Sequence, residues 1–179
     1  MRTRIGFTAL LLAALLQTPA AAAPVEAGPP GGQYLMILAR DGAFAGQLWS
    51  LAGRSLAIDP AAPGTGRLLT RLTDAHGWSD ADRAHWQRLS LEEAVQAVCA
   101  DDIPALATMS GPDDIRLAVL PESCRLRMID LGDGVSRAFA EQAAGLASAS
   151  IPDGRLAAVP LGADTILDMS DVQVADRAE

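Results

Sequence analysis

The stretch Tyr34-Leu35-Met36-Ile37-Leu38-Ala39 is an unbroken apolar run that ends at the turn residues Arg40-Asp41-Gly42. A short apolar run closed by a turn is typical of a strand buried in a sheet, so ordered structure is expected to begin at Gln33. Two more short strands are predicted at residues 47–51 and 55–58, separated by a tight turn. The first third of the chain is therefore expected to form an antiparallel meander.

Three helices are predicted from their capping residues. Ser79 can cap a helix over residues 80–88, and Ser90-Leu91-Glu92-Glu93 has the pattern of a capping box. Apolar residues at helical spacing follow that box up to Cys99, which predicts that this cysteine points inward. A third helix is expected after Gly132-Asp133-Gly134, whereas residues 68–72 fit either a strand or one helical turn.

Further strands are predicted at residues 115–120 and 126–131, joined as a hairpin, and at residues 156–159 and 165–169. Strands and helices in this order predict a single compact α+β domain over residues 33–169. Its expected architecture is an antiparallel sheet with about three helices packed on it.

The first 22 residues have the pattern of a secretory signal peptide. Arg2 and Arg4 precede an apolar segment over residues 5–16, and small residues at 20–23 offer a cleavage site after Ala22. The apolar segment is shorter than the roughly 20 residues of a membrane-spanning helix. A periplasmic or secreted protein is expected, with a Pro/Gly-rich tether over residues 23–32, an acidic polar tail over residues 170–179, and no stable membrane insertion.

The chain has two cysteines, Cys99 and Cys124. In an oxidising compartment such a pair is most simply one disulfide. A redox-active pair is the alternative, but such pairs usually stand as Cys-x-x-Cys at the start of a helix, where the helix dipole lowers a thiol pKa. Cys99 is instead predicted at a helix end, which favours a structural bond.

The charge composition restricts the partners of the protein. The formal net charge is −8, and removal of the signal peptide makes the chain more acidic still. Such a surface repels phosphate backbones, so nucleic acid is not expected, whereas a basic protein or peptide, or a small ligand, is compatible. All 14 basic residues are arginine. The absence of lysine excludes a Schiff-base mechanism, a P-loop and a Ser-Lys dyad, and no cofactor is predicted.

Both histidines of the chain lie in the segment from Asp74 to Trp86. His76, Asp82 and His85 form a conceivable set of ligand or metal contacts, because Asp82 and His85 are three residues apart on a predicted helix. The spacing matches no established metal motif. A helix start at the surface is the simpler interpretation, because acidic residues suit a first helical turn without any ligand.

A second candidate is the glycine turn between a predicted strand and the third helix. Backbone amides at Gly132 and Gly134 could hold an anion, with Arg137 as the counter-charge. The dinucleotide fingerprint would need a further glycine where Arg137 stands. A capping turn is the structural alternative.

These features favour an exported, non-catalytic binding or accessory module whose partner or ligand is unknown. The alternative is a small periplasmic hydrolase or metal-dependent enzyme that uses His76, Asp82 and His85. Convergence of both imidazoles and a carboxylate in one concave pocket would favour the enzyme.

Overall fold

The structure is a computed structural model that describes residues 25–26, 32–41, 46–111, 114–118, 120, 122–151 and 163–169. The predicted signal peptide, most of the predicted tether and the acidic tail lie outside these ranges, as does the strand predicted at residues 156–159. Within the predicted tether, Val25–Glu26 form a two-residue strand, β1.

The described residues form one mixed sheet, in which seven strands follow the order β1-β7-β8-β2-β5-β3-β4 and β6 pairs with β2. The remaining strands are β2 (Gln33–Arg40), β3 (Leu56–Ile58), β4 (Trp86–Arg88), β5 (Ala105–Ser110), β6 (Leu126–Met128), β7 (Leu146–Ile151) and β8 (Ala163–Asp168). Five helices accompany them, α1 (Thr65–Ala75), α2 (Asp80–Arg83), α3 (Leu91–Cys99), α4 (Ile115–Ala118) and α5 (Gly134–Gln142).

The predicted apolar run is the central strand β2. One edge of β2 pairs with β5 along its length, from Tyr34 opposite Ser110 to Ala39 opposite Ala105. The other edge is shared, because β8 pairs with the beginning of β2 and β6 pairs with its end. All three of these partner strands are antiparallel to β2.

Alternate side chains of β2 enter two separate cores, one on each face of the sheet. Tyr34, Met36 and Leu38 belong to a core that also holds the buried side chains of α3. Leu35, Ile37 and Ala39 belong to the other core, which holds the apolar faces of α1 and α5. Because both faces are covered, the strand is apolar at every position from 34 to 39 rather than alternating.

The antiparallel sheet predicted from the sequence is wrong in part, because the sheet is mixed. Strand β3 pairs in parallel with both β4 and β5, and β1 pairs in parallel with β7. The predicted meander does not form, since β3 lies beyond β5 and not beside β2. Residues 48–51 form a 3-10 helix instead of a strand, which buries Leu48 and Leu51.

Several element predictions differ from the structure. Residues 115–118 form the short helix α4, so the hairpin predicted at residues 115–131 is absent and only β6 remains of it. The ambiguous residues 68–72 lie inside α1. The helix predicted over residues 80–88 ends at Arg83, and the chain continues as the edge strand β4. The third helix and the capping-box helix are confirmed.

The disulfide predicted from the sequence is confirmed. Cys99 and Cys124 are bonded, with a Cα–Cα distance of 5.3 Å. Cys99 is the last residue of α3, and Cys124 ends a 3-10 turn just before β6. The bond therefore joins the end of α3 to the segment that enters the sheet beside β2.

Candidate functional site

A cleft of about 600 Å³ opens at one edge of the sheet. The lining residues are Arg40, Gly53, Arg54, Ser55, His85, Asp101 and Pro104. They come from the end of β2 and from the residues that immediately precede β3, β4 and β5. Since β3, β4 and β5 are parallel to one another and β2 is antiparallel to β5, all four segments meet at the same edge.

Charged side chains dominate this lining. Arg40 and Asp101 form an ion pair in which Nη2 lies 2.9 Å from Oδ2, and their side chains are 40% and 63% exposed. Arg54 and His85 add two more basic groups. The cleft therefore combines three basic side chains with one carboxylate, in a chain whose overall charge is strongly negative.

Asp101 has a left-handed backbone conformation, with φ of 69°. It follows the C-cap of α3, where its amide donates to the Val98 carbonyl and the amide of Asp102 donates to the Ala97 carbonyl. This is the Schellman arrangement, in which the left-handed position is usually glycine. Helix α1 ends in the same arrangement and has glycine there, Gly77, with φ of 77°.

Of the three residues predicted as a metal or ligand set, His85 lines the cleft. Asp82 caps α2 with its carboxylate, which accepts from the Ser79 amide and hydroxyl at 2.8 and 2.7 Å. These hydrogen bonds lower the pKa of Asp82. Its backbone carbonyl accepts from the Gly53 amide at 3.1 Å, so Asp82 supports one wall of the cleft through its main chain.

His76 lies at the end of α1 and contacts the start of α5. Its Nε2 is 3.0 Å from Ser136 Oγ and 3.7 Å from Asp133 Oδ1, and its side chain is 10% exposed. Ser136 is fully buried and donates its hydroxyl to Asp133 at 2.6 Å. A catalytic triad needs the serine and the carboxylate on opposite ring nitrogens. Here both lie beside Nε2, so the contact joins two helices and does not activate a nucleophile.

The glycine turn predicted as an anion site is occupied by carboxylates of the protein itself. Asp133 accepts from the amides of Val135 and Ser136 at 2.9 and 3.0 Å. Burial raises the pKa of Asp133, but the hydrogen bonds from Ser136 and Val135 outweigh burial and leave it lowered. The amide of Gly132 donates to Asp130 at 3.0 Å.

Space around this turn is also limited. A Cβ atom on Gly132 would stand 2.6 Å from Asp164 Oδ2, so a carboxylate already covers the turn. Gly134 has nothing within 4 Å of such an atom, and Arg137 is exposed.

A buried polar network at the opposite edge of the sheet was not predicted. Asp59 follows β3 and is 2% exposed, yet it accepts from Thr108 Oγ1 and Arg116 Nη1, both at 3.0 Å. Arg116 also donates to Asp114 at 2.8 Å, and Ser110 donates to the same carboxylate at 2.5 Å. The Arg116 guanidinium holds the pKa of Asp114 at about 2.

The network joins two segments, the loop after β5 and helix α4, to the carboxyl end of β3. Asp59 and Arg116 are 57 residues apart, so no local spacing connects them. In the sequence, the only sign of this network is Asp59, a single aspartate that directly follows an apolar segment and precedes a proline. Because its polar atoms bind one another, the network stabilises the fold at this edge.

Among the described residues, no group of three or more His, Cys, Asp or Glu side chains is arranged to hold a metal ion. Within the same part of the chain, no helix is long and apolar enough to span a bilayer.

No protein family model matches the chain, and no curated protein matches its sequence. A solved structure of the arginine-, lysine-, histidine-binding protein ArtJ from Geobacillus stearothermophilus aligns with 12% sequence identity and a TM-score of 0.37. The alignment covers 80% of this chain and 48% of ArtJ, so this chain spans about half the length of that protein. At this TM-score the similarity carries no conclusion about the ligand.

Proposed function

We propose that the protein is an extracytoplasmic, non-catalytic binding module that holds a small polar ligand in the cleft at Arg40, Arg54 and His85. One observation carries this proposal. Four separate segments bring charged side chains to a single cavity of about 600 Å³, within the usual volume range of small-molecule sites. A small ligand fits this concave shape better than a basic protein or peptide, which would meet three basic side chains there.

The disulfide supports an oxidising compartment, because such bonds persist outside the cytoplasm. The predicted signal peptide points the same way and gives a direct test. The exported protein should begin near Ala23, and an N-terminal sequence that starts at Met1 in the extracytoplasmic fraction would contradict export.

The alternative enzyme has little support from the arrangement of its three residues. The Asp82 carboxylate is held by Ser79, and His76 is held between Ser136 and Asp133. His85 lines the cleft without either of them. A hydrolase or metal centre would need these groups to share one pocket.

The binding proposal is tested by blocking the cleft. Ser55→Trp places a large side chain in the lining, and Arg67→Trp places the same side chain on the exposed face of α1 as a matched control. Isotope-labelled mature protein is titrated with a panel of amino acids, carboxylic acids, phosphate and sugars, and amide shifts are followed by NMR. At least one compound should shift residues 53–55, His85 and Asp101 in the wild type and the control, but not in Ser55→Trp. Shifts confined to other surfaces would refute the site.

A further inference from the structure

We propose that the cleft recognises an anionic oxygen group, a carboxylate or a phosphate, and that Asp101 is an internal counter-ion which the ligand displaces from Arg40. This inference rests on the proposed binding function and names its ligand chemistry. Three observations support it: the local charge, the backbone at Asp101, and the exposure of the ion pair.

The local charge is opposite to that of the whole chain. The protein has 22 acidic residues and 14 arginines, whereas the cleft lining has two arginines, Arg40 and Arg54, against the single carboxylate of Asp101. A site with an excess of one sign of charge attracts ligands of the opposite sign. Arginine also presents a planar fork of N–H donors that matches the oxygens of a carboxylate or a phosphate.

The end of α3 places the carboxylate of Asp101 beside Arg40. A left-handed conformation is commonest for glycine, which α1 has as Gly77 in the equivalent Schellman position, and aspartate is among the few other residues that adopt it. Helix α3 instead has an aspartate there, and its carboxylate lies 2.9 Å from Arg40. The side chain thus occupies the position in which a ligand's oxygens would meet the guanidinium.

The ion pair is open enough to be exchanged. Both partners are in contact with solvent, with 40% of Arg40 and 63% of Asp101 exposed, and exposed pairs of this kind are weak. Arg40 itself is anchored, because it is the last residue of β2 and pairs with Leu126 of β6. An entering anion can therefore replace Asp101 without movement of the sheet.

The test uses the mature protein and three probes at matched ionic strength: succinate, inorganic phosphate and, as a guanidinium cation without a carboxylate, agmatine. NMR titration should show that one or both anions shift residues 53–55, His85 and Asp101, whereas agmatine binds more weakly. Stronger binding of succinate would assign a carboxylate ligand, and stronger binding of phosphate a phosphorylated one. Arg40→Gln should weaken anion binding about tenfold or more, and Arg67→Gln on exposed α1 should leave it unchanged.

Asp101→Asn separates the counter-ion role from a ligand contact. Asparagine tolerates the left-handed conformation and removes only the charge, so anion affinity should rise about two- to fivefold. Asp101→Gly should give the same rise and provides a second variant with a favoured backbone. Unchanged or weaker anion binding in both variants would overturn the inference.

The two proposals fail in different ways. If agmatine shifts the cleft residues and neither anion does, the anionic ligand class is refuted while the binding site stands. If no compound of the broader panel shifts those residues, the binding function itself is refuted.

Discussion

Replacing Asp114 by asparagine is expected to lower the free energy of unfolding near neutral pH by about 2 kcal/mol, and by progressively less as the pH falls through about 2. Arg116 donates three side-chain hydrogen bonds to this carboxylate, at 2.8, 3.0 and 3.3 Å. They hold the pKa of Asp114 at about 2, against its ordinary value of 3.8. A carboxyl whose pKa is lower in the folded state stabilises the fold whenever it is ionised.

The magnitude follows from the size of this shift. Each pKa unit corresponds to about 1.4 kcal/mol, so the shift is worth about 2 kcal/mol, an upper figure because Arg116 is 39% exposed to screening solvent. The contribution is fully present well above the unfolded value of 3.8 and is lost as the pH falls through the folded value of about 2.

The assay is urea unfolding of the wild type and Asp114→Asn at intervals across this pH range. Other carboxyl groups with a lowered pKa, such as Asp82 and Glu93, titrate in both proteins. Their contributions therefore cancel in the difference between the two unfolding free energies. Asp102→Asn, at an exposed position, is the matched control and should differ from the wild type by less than about 0.5 kcal/mol. If the difference in unfolding free energy between the wild type and Asp114→Asn stays constant from neutral to low pH, the charge of Asp114 is not its cause. If there is no difference at any pH, the contact with Arg116 is refuted.

Three further outcomes can be measured on the same protein. The double change Cys99→Ala plus Cys124→Ala should lower the free energy of unfolding by ~3.5 kcal/mol, from the 25-residue separation, and thiol titration of the denatured wild type should find no free sulfhydryl. His76→Ala should cost about 1–2 kcal/mol through its lost bond to Ser136 and leave ligand shifts in the cleft unchanged; lost binding at full stability would contradict this. Ile37→Ala, at a fully buried position, should cost about 2–5 kcal/mol by thermal or urea unfolding, and a much smaller loss would place Ile37 outside the core.

Features set by local chemistry could be predicted from the sequence. The capping box at Ser90 requires only four neighbouring residues, and both of its hydrogen bonds with Glu93 are present. The run at residues 34–39 identifies a strand because no other short element buries six consecutive apolar residues between two layers. The disulfide followed from the number of cysteines and the expected compartment.

Pairing between distant strands could not be predicted in the same way. Strand β5, Ala105–Ser110, lies beside β2 and is buried at all six positions, but its small and polar side chains resemble those of a loop. Residues 115–118 show the reverse case. Their apolar side chains predicted a strand, but the segment forms a helix, and Leu117 packs in the core that also holds α3. In both segments tertiary burial outweighs local propensity.

The cleft depends on this unpredicted pairing. Arg40, Arg54, His85 and Asp101 share no spacing, and they meet only because β3 inserts parallel to β5 and beyond it. In the predicted antiparallel meander, β3 would lie next to β2, so the distance and direction between Arg54 and Arg40 would differ. The sequence therefore identified His85 as a candidate. The candidate set also contained His76 and Asp82, which have other partners in the structure.

The disulfide connects the two halves of the ion pair in the cleft. Cys99 stands two residues before Asp101, and Cys124 stands two residues before Leu126, the residue that pairs with Arg40 in the sheet. The covalent bond thus holds together the helix end that carries the carboxylate and the strand that supports the guanidinium. The disulfide and the hydrogen bonds that end α3 together hold Asp101 beside Arg40, which an exposed ion pair is too weak to do by itself.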